Sequence, residues 1–351
     1  MTTRPFLRIL PLAAVVVATG ASIALQARIT HTPQTSGTTA LLIAVSPVND
    51  RVVWVSGSQG TYVRTTDGGA TWKAGRVPGA DSLQFRDVHA VDANTAYLLS
   101  IGNGNQSRIY KTVDAGANWK LQFTNPDSAG FYDCMDFWTP KRGIVIGDAI
   151  GGDIAILTTA DGGDTWTRIP SSSLPRAQAT EGSFAASGTC LVTQPEGHAW
   201  IVASNPDHGR VLHTANYGRT WTVDTLPLTT RAGSGPQSIG FRDTRYGFAL
   251  GGGNAAKPGD VLTAITRDGG RNWITRASPA LRTGVWGGVY VPGAVRPTIV
   301  AVGPNGSTFT RDDGASWTPI DTLNYWSVGF ASARAGWAVG TQGKITKLAG
   351  F

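Results

Sequence analysis

A pattern of eight residues recurs six times in this chain of 351 residues, and it constrains the fold more than any other feature. Each copy begins with Thr, carries Asp or Asn at its third position and Gly at its fifth, and ends with Trp. The copies, called octads below, begin 44 to 55 residues apart and are Thr65–Trp72, Thr112–Trp119, Thr159–Trp166, Thr214–Trp221, Thr266–Trp273 and Thr310–Trp317. A period of this length indicates a repeat fold in which each copy marks one supersecondary unit.

The chemistry of the octad predicts a tight turn between two strands. A carboxylate or amide at the third position can accept backbone N–H bonds across the turn, and Gly at the fifth supplies a backbone conformation that other residues resist. Hydroxyl and amide side chains at the first and seventh positions can satisfy further turn groups. We therefore expect the third residues to be structural and not catalytic: Asp67, Asp114, Asp161, Asn216, Asp268 and Asp312.

A looser repeat of strand, polar turn and apolar strand precedes each octad, as at 238–251 and 327–340. Two strands here and two around the octad make four, which is one blade of a propeller. Residues 325–348 supply further strands without an octad, and a strand near residues 29–34 would complete them and cover a sheet edge. The sequence thus predicts an all-β, seven-bladed β-propeller of four-stranded antiparallel blades. The alternative is six blades, if the C-terminal piece completes the first unit.

The first 27 residues have the form of a signal peptide or an N-terminal anchor. Arg4 and Arg8 precede an uncharged apolar stretch that continues to Leu25, and Ala27 is a plausible cleavage point. An uncleaved anchor is the alternative, because the apolar stretch approaches the length of a short membrane span. Either reading places residues 28–351, expected to be a single propeller domain, in a periplasmic or secreted location. Membrane contact is expected only through the N-terminal segment.

The charge pattern limits the classes of partner that we expect for this protein. The formal net charge is +7, but the basic residues are spread singly, so we expect no nucleic-acid partner. A basic exported protein more plausibly meets an acidic partner or an anionic envelope component. The five histidines show no metal-binding spacing and no Gly-x-Gly-x-x-Gly motif leads into a helix, so no metal and no cofactor are expected.

The two cysteines lie in consecutive repeats. Cys134 and Cys190 could occupy neighbouring inner strands and form a disulfide in an oxidising compartment. Two buried free thiols are the equal alternative, and two cysteines exclude a zinc cluster built from cysteine ligands.

The octads resemble the Asp-box, or bacterial neuraminidase repeat. Together with the Phe330–Gly340 segment, they resemble the photosystem II stability and assembly factor family and its exported bacterial relatives. The resemblance covers nearly all of residues 40–348 and implies a seven-bladed propeller that acts as a non-enzymatic binding scaffold. It also implies a basic patch for partners, matched here by turns with Arg51, Lys141, Arg142, Arg245 and Arg334. Ordinary solvated turn arginines are the alternative interpretation.

A ligand site is expected at the mouth of the central channel, where the innermost strand of each blade begins. The side chains that should converge there are Arg86, Tyr132, Asp133, Glu181, Trp286, Tyr325 and Trp326. Aromatic walls with a few charges suit a sugar or a peptide. The alternative is that these aromatics pack between blades and that the charges form ordinary ion pairs.

Two functions from different classes follow. The leading hypothesis is an exported, monomeric, non-enzymatic scaffold that binds an envelope protein or a glycan. The alternative is a sialidase-like glycoside hydrolase acting at the channel mouth, which would need three arginines, a Tyr nucleophile assisted by Glu, and an Asp acid. Glu181 and Asp133 are the candidate general acid and base. A redox enzyme is a weaker third hypothesis, since no cofactor motif is present.

Overall fold

A computed structural model describes residues 1–2, 29–281 and 284–351. The signal-peptide or anchor prediction therefore lies outside the described residues, except for the first two. Within the described residues, seven four-stranded antiparallel sheets account for 28 strands. No helix in this part of the chain is long and apolar enough to cross a membrane.

The strands are short, and the inner strands of each blade are mostly buried whereas the outermost strands are largely exposed. Three brief 3-10 helices, Gly104–Gln106, Ser171–Ser173 and Pro195–Gly197, lie in the connections. In chain order the strands are β1 Thr30–Thr35, β2 Leu42–Pro47, β3 Val53–Gly57, β4 Thr61–Thr65, β5 Lys73–Arg76, β6 Phe85–Ala90, β7 Ala96–Ser100, β8 Arg108–Thr112, β9 Lys120–Thr124, β10 Tyr132–Thr139, β11 Arg142–Ile150, β12 Asp153–Thr159, β13 Thr167–Arg168, β14 Leu191–Gln194, β15 His198–Ser204, β16 Gly209–Ala215, β17 Thr222–Leu226, β18 Gly235–Phe241, β19 Gly247–Gly252, β20 Thr263–Thr266, β21 Ile274–Thr275, β22 Gly287–Tyr290, β23 Ile299–Gly303, β24 Gly306–Thr310, β25 Thr318–Asp321, β26 Ser327–Ser332, β27 Ala335–Val339 and β28 Lys344–Ala349.

Each sheet is one blade of a propeller, and the prediction of seven blades is confirmed. Blades 1 to 6 are four consecutive strands each: β2–β5, β6–β9, β10–β13, β14–β17, β18–β21 and β22–β25. Blade 7 joins the two ends of the described chain, because β26, β27 and β28 are completed by β1 as the outer strand. Thr30 pairs with Ala349 and Thr35 with Lys344. The six-bladed alternative is wrong, because the C-terminal strands form a blade of their own.

The core lies between the blades as a series of apolar clusters. Three aromatic side chains also form hydrogen bonds across these interfaces. Each donates to a backbone carbonyl in a turn of the next blade. Trp54 Nε1 donates to Asp92 O (3.0 Å), the Tyr97 hydroxyl to Gly162 O (2.6 Å) and Trp200 Nε1 to Gly269 O (2.7 Å). These three side chains are almost completely buried. Buried polar tips that find a partner make the blade interfaces both apolar and specific.

All six octads connect the third and fourth strands of a blade. In the first octad, Asp67 Oδ1 accepts hydrogen bonds from Thr65 Oγ1 (2.7 Å) and Thr71 N (2.9 Å), and Oδ2 accepts one from Thr71 Oγ1 (2.6 Å). Thr65 Oγ1 in turn accepts from the N–H of Gly69, whose φ is +85°. The other five octads repeat the bond from the backbone N–H of the seventh residue, and in blade 4, where Asn216 replaces Asp, its Nδ2 donates to the Thr220 hydroxyl. Blade 7 has no octad because its outer strand comes from the other end of the chain.

Cys134 of β10 and Cys190, directly before β14, form a disulfide between blades 3 and 4. Both residues are fully buried, and no free cysteine is present in the described chain. The bond links the innermost strand of one blade to the entry of the innermost strand of the next.

Candidate functional site

The innermost strands surround a central channel, and all of them run from one face of the propeller to the other. We call the face where these strands begin face A and the face where they end face B. The cavity at face A has a volume of about 490 Å³, and we call it cavity A. Its lining includes Arg86, Phe131, Asp133, Asp148, Ser183, Phe184, Trp286 and Trp326. Four of the seven side chains expected at the channel mouth therefore meet there: Arg86, Asp133, Trp286 and Trp326.

One wall of cavity A is aromatic and carries a fixed guanidinium group. Arg86 lies over the ring of Trp326, 4.8 Å from its centre, and Trp326 contacts Trp286 with ring centres 4.4 Å apart. Arg86 also donates to Ala185 O (3.0 Å) and to the Gln84 side chain. Partial burial lowers the pKa of Arg86, but a guanidinium keeps its proton at physiological pH.

Two neighbouring carboxyl groups, Asp133 and Asp148, also line cavity A. Burial raises the pKa of Asp133 well above its usual value, and the nearby Asp148 raises it further. Burial also raises the pKa of Asp148 to about 6, against the opposing effect of a hydrogen bond from Ser183 N (3.2 Å). Asp133 Oδ2 is buried and receives no hydrogen bond from another described residue. Asp148 could not be linked to Asp133 from sequence, because the two residues lie 15 positions apart on adjacent strands.

The other three expected residues lie outside cavity A. Tyr132 is buried and packs edge-to-face on Phe123. Tyr325 is also buried, and its hydroxyl bonds to Asp321 and Thr346. Each tyrosine directly precedes a residue that lines the cavity. Because successive residues of an extended segment point to opposite sides, the tyrosines point away from it.

Glu181 is buried in an ion pair. Its carboxylate accepts hydrogen bonds from Arg210 Nε (2.7 Å) and Arg210 Nη2, and from Gln178 N (2.8 Å). Glu181 is therefore not poised with Asp133 as a general acid and base, because its carboxylate is already held by Arg210. Among the described residues that line cavity A, Arg86 is the arginine, whereas a sialidase site requires three.

A segment of blade 4, residues 183–189, crosses the channel and forms the floor of cavity A. Ser187 Oγ donates to Trp286 O (2.8 Å) in blade 6, and its carbonyl accepts from Ser327 Oγ (3.0 Å) in blade 7. The Ala185 carbonyl accepts a hydrogen bond from Arg86 of blade 2, and the Thr189 carbonyl accepts one from Ile239 N of blade 5. We call residues 183–189 the channel plug, since hydrogen bonds fix it to four other blades. Neither its course nor its contacts could be read from sequence.

The second opening, on face B, is larger. This cavity, called cavity B, has a volume of about 790 Å³ and lies on the far side of the plug. Its walls come from the ends of the innermost strands and are mostly apolar: Val45, Pro47, Val88, Leu191, Ile239, Val289, Val328 and Phe330. Polar groups include His89, whose Nδ1 lies 3.1 Å from Asp136 Oδ1.

Basic side chains outnumber acidic ones on the inner turns around cavity B. Arg242 and Arg296 line the cavity itself. Arg242 stacks over Tyr246 at 4.3 Å, and its Nη1 is buried without a hydrogen-bond partner in the described chain. The basic residues of these turns are Arg51, Lys141, Arg142, Arg242, Arg245, Arg296 and Arg334, and the acidic ones are Asp50, Asp92, Glu196 and Asp243. The basic turns of the sequence analysis thus lie together on face B.

Comparison with known proteins gives one matching curated relative and many similar structures, while no family model matches the sequence. The chain is 27% identical over 233 residues to the photosystem II assembly lipoprotein Ycf48 of Synechococcus sp. (strain CC9902). The match covers 63% of this chain and only 58% of that relative.

Solved structures agree with the fold over almost the whole chain. Ycf48 bound to a D1 peptide gives a TM-score of 0.63 at 18% identity, covering 91% of this chain and 96% of that one. Ycf48 from Cyanidioschyzon merolae gives 0.66 at 16% identity, with 91% and 98% covered. The WD40 propeller domain of Doa1 gives 0.63 at 13% identity, with 91% and 97% covered. At these identities the structural likeness shows the fold alone, and the sequence match adds common descent: the chain is a homologue of the photosystem II assembly factor Ycf48 and folds as a seven-bladed β-propeller.

Proposed function

We propose that this protein is an exported, assembly-factor-like propeller that binds a segment of an envelope protein at cavity B. The homology to Ycf48 supports a role in assembly, and the solved Ycf48 structure with a D1 peptide shows that a propeller of this kind can take a peptide. The apolar stretch after Arg4 and Arg8 supports export. The partner is a protein of this chain's own cell envelope.

The observation that carries the proposal is the unpartnered Nη1 of Arg242 at the wall of an apolar cavity. A buried guanidinium N–H without an acceptor costs free energy, and a carboxylate supplied by a bound segment would satisfy it. The cavity volume of about 790 Å³ accommodates several side chains. The occupant is therefore an extended segment with apolar residues and at least one carboxylate, such as an acidic side chain or a chain terminus.

Affinity capture from envelope extracts tests this proposal. We expect the purified protein to retain a specific protein, and the Arg296→Ala and Arg242→Ala variants to retain at least fivefold less of it. Lys73→Ala is the matched control, because Lys73 is an exposed lysine on the outer strand β5, far from the channel. Equal recovery by all variants would contradict binding at cavity B.

The same experiment separates a protein partner from a glycan. Protease treatment of the extract should abolish retention. Retention that survives protease and is lost after periodate oxidation would show that the bound material is a glycan, and the proposal of a protein segment would be wrong.

A further inference from the structure

Cavity A has two charged walls that do not neutralise each other. Arg86 uses its hydrogen bonds on Gln84 and Ala185, and no ion pair joins it to Asp133 or Asp148 within the described part of the chain. A purely cationic ligand would be repelled by Arg86, and a purely anionic one by the carboxyl pair. A ligand that carries both charges would satisfy both walls.

The carboxyl wall is built to receive a hydrogen-bond donor. Asp133 is almost completely buried, and its Oδ2 has no donor from another described residue, so this oxygen must share a proton with Asp148 or accept a bond from a ligand. Asp148 is less buried than Asp133 and also lines the cavity. Gly182 makes room for it, since a Cβ there would lie about 2.0 Å from Asp148 Oδ1. The plug thus holds Asp148 in place through Ser183 N.

The aromatic wall suits the body of such a ligand. Trp286, Trp326 and Phe184 also line the cavity, and each is only partly buried. A volume of about 490 Å³ is within the range of small-molecule sites. The plug separates this cavity from cavity B, so a ligand here need not compete with a partner on face B.

From this arrangement we infer that cavity A is a second binding site, for a short zwitterionic peptide or amino acid whose ammonium group meets Asp133 and Asp148 and whose carboxylate meets Arg86. The inference goes beyond the proposed function, because it assigns a ligand to the other face. The surrounding charges agree with it. Glu181, on the segment that leads into the plug, is neutralised by Arg210, so Arg86 and the two aspartates are the ionic groups among the described residues that line the cavity.

Isothermal titration with glycyl-phenylalanine at pH 7.5 tests the inference. N-acetyl-glycyl-phenylalanine lacks the ammonium group and glycyl-phenylalaninamide lacks the carboxylate, so we expect each to bind at least tenfold more weakly. Free phenylalanine, measured alongside, distinguishes an amino-acid site from a peptide site. No binding of the dipeptide or of phenylalanine up to 10 mM, or equal binding of the blocked compounds, would overturn the inference.

Two variants place the ligand in cavity A. Asp148→Asn and Arg86→Gln should each weaken binding of glycyl-phenylalanine at least tenfold, whereas the exposed charge-matched controls Asp207→Asn and Arg219→Gln should leave it unchanged. Lowering the pH to 5 should weaken wild-type binding at least fivefold, because the pKa of Asp148 is about 6 and its protonation removes the charge that attracts the ammonium group.

Should Asp148→Asn fail to fold, Arg86→Gln and the blocked dipeptides still decide the question. Folded variants with wild-type affinity would show that the dipeptide binds elsewhere. The Arg242→Ala variant should keep full dipeptide affinity, so failure of this site and failure of partner binding on face B are told apart.

Discussion

At the third position of each octad, one side-chain oxygen accepts two hydrogen bonds. The hydroxyl of the first residue donates one, and the backbone N–H of the seventh residue donates the other. In Asp161 the hydrogen bond from the Thr165 hydroxyl is the main cause of a pKa lowered to about 2. Hydrogen bonds likewise hold the pKa of Asp67 and Asp114 below its ordinary value, and in Asp268 and Asp312 they outweigh the opposite effect of partial burial. These aspartates prefer to be ionised in the folded protein.

The first prediction concerns the pH dependence of this turn. Because the folded-state pKa of Asp161 is depressed, its contribution to stability is complete above the unfolded pKa of about 4 and is lost as pH falls towards 2. Replacing Asp161 by Ala should lower the Tm by roughly 1–4 °C at pH 7. The effect should shrink between pH 4 and pH 2.5, as measured by thermal unfolding followed by circular dichroism.

Asn216 provides the matched control for this prediction. It makes the same backbone contact to Thr220 N (2.9 Å) but does not titrate. The Tm difference between wild type and Asn216→Ala should therefore be the same at pH 4 and pH 2.5. A difference that shrinks equally in both variants would show that ionisation of Asp161 is not the cause.

Successive residues of a strand point to opposite sides, so the sequence does not show which of two neighbouring residues faces a cavity. The entry of each innermost strand could be located from the repeat. Arg86, Asp133, Trp286 and Trp326 line one cavity, and their role in binding stays a prediction. Which of two neighbours faces the opening depends on the local twist and register, so the sequence alone does not show that Tyr132 and Tyr325 are buried in the core. Glu181 was included without its partner, because Arg210 is 29 residues away.

At the scale of strands and blades, much of the fold could be predicted because each unit repeats the same turn. The sequence also predicted that an N-terminal strand near residues 29–34 would complete the last blade, and β1 does so at Thr30–Thr35. The channel plug could not be predicted, since residues 183–189 carry no periodic pattern and their partners lie in four other blades. Insertions of this kind appear in the sequence only as a longer interval between octads.

The second prediction concerns the disulfide between blades 3 and 4. Cys134 and Cys190 are separated by 56 residues, and a cross-link over such a loop stabilises a protein by roughly 4 kcal/mol in the chain-entropy model. The Cys134→Ser, Cys190→Ser double variant should therefore lower the Tm by about 5 °C. Titration of free thiols in denatured, unreduced wild-type protein should find none, whereas two reactive thiols would show that the bond does not form.

Considered as a whole, the molecule presents two different faces on one axis. Face A leads to a small cavity with fixed charges of both signs, and face B to a larger apolar cavity with a predominantly basic rim. The plug separates them. The net charge of +7 would attract an acidic partner from a distance, and the attraction should weaken with salt because exposed charges are screened beyond about 10 Å at 0.1 M.

The central claim is that a partner protein binds at face B, and site-specific photo-crosslinking in cells measures it most directly. A photoreactive residue at Val295, 98% exposed on a loop that lines cavity B, should form a covalent adduct with a discrete envelope protein. The same residue at Leu121, 45% exposed on the outer strand β9, should not. Adducts of equal yield at both positions, or none at Val295 when the protein is exported and folded, would contradict the account.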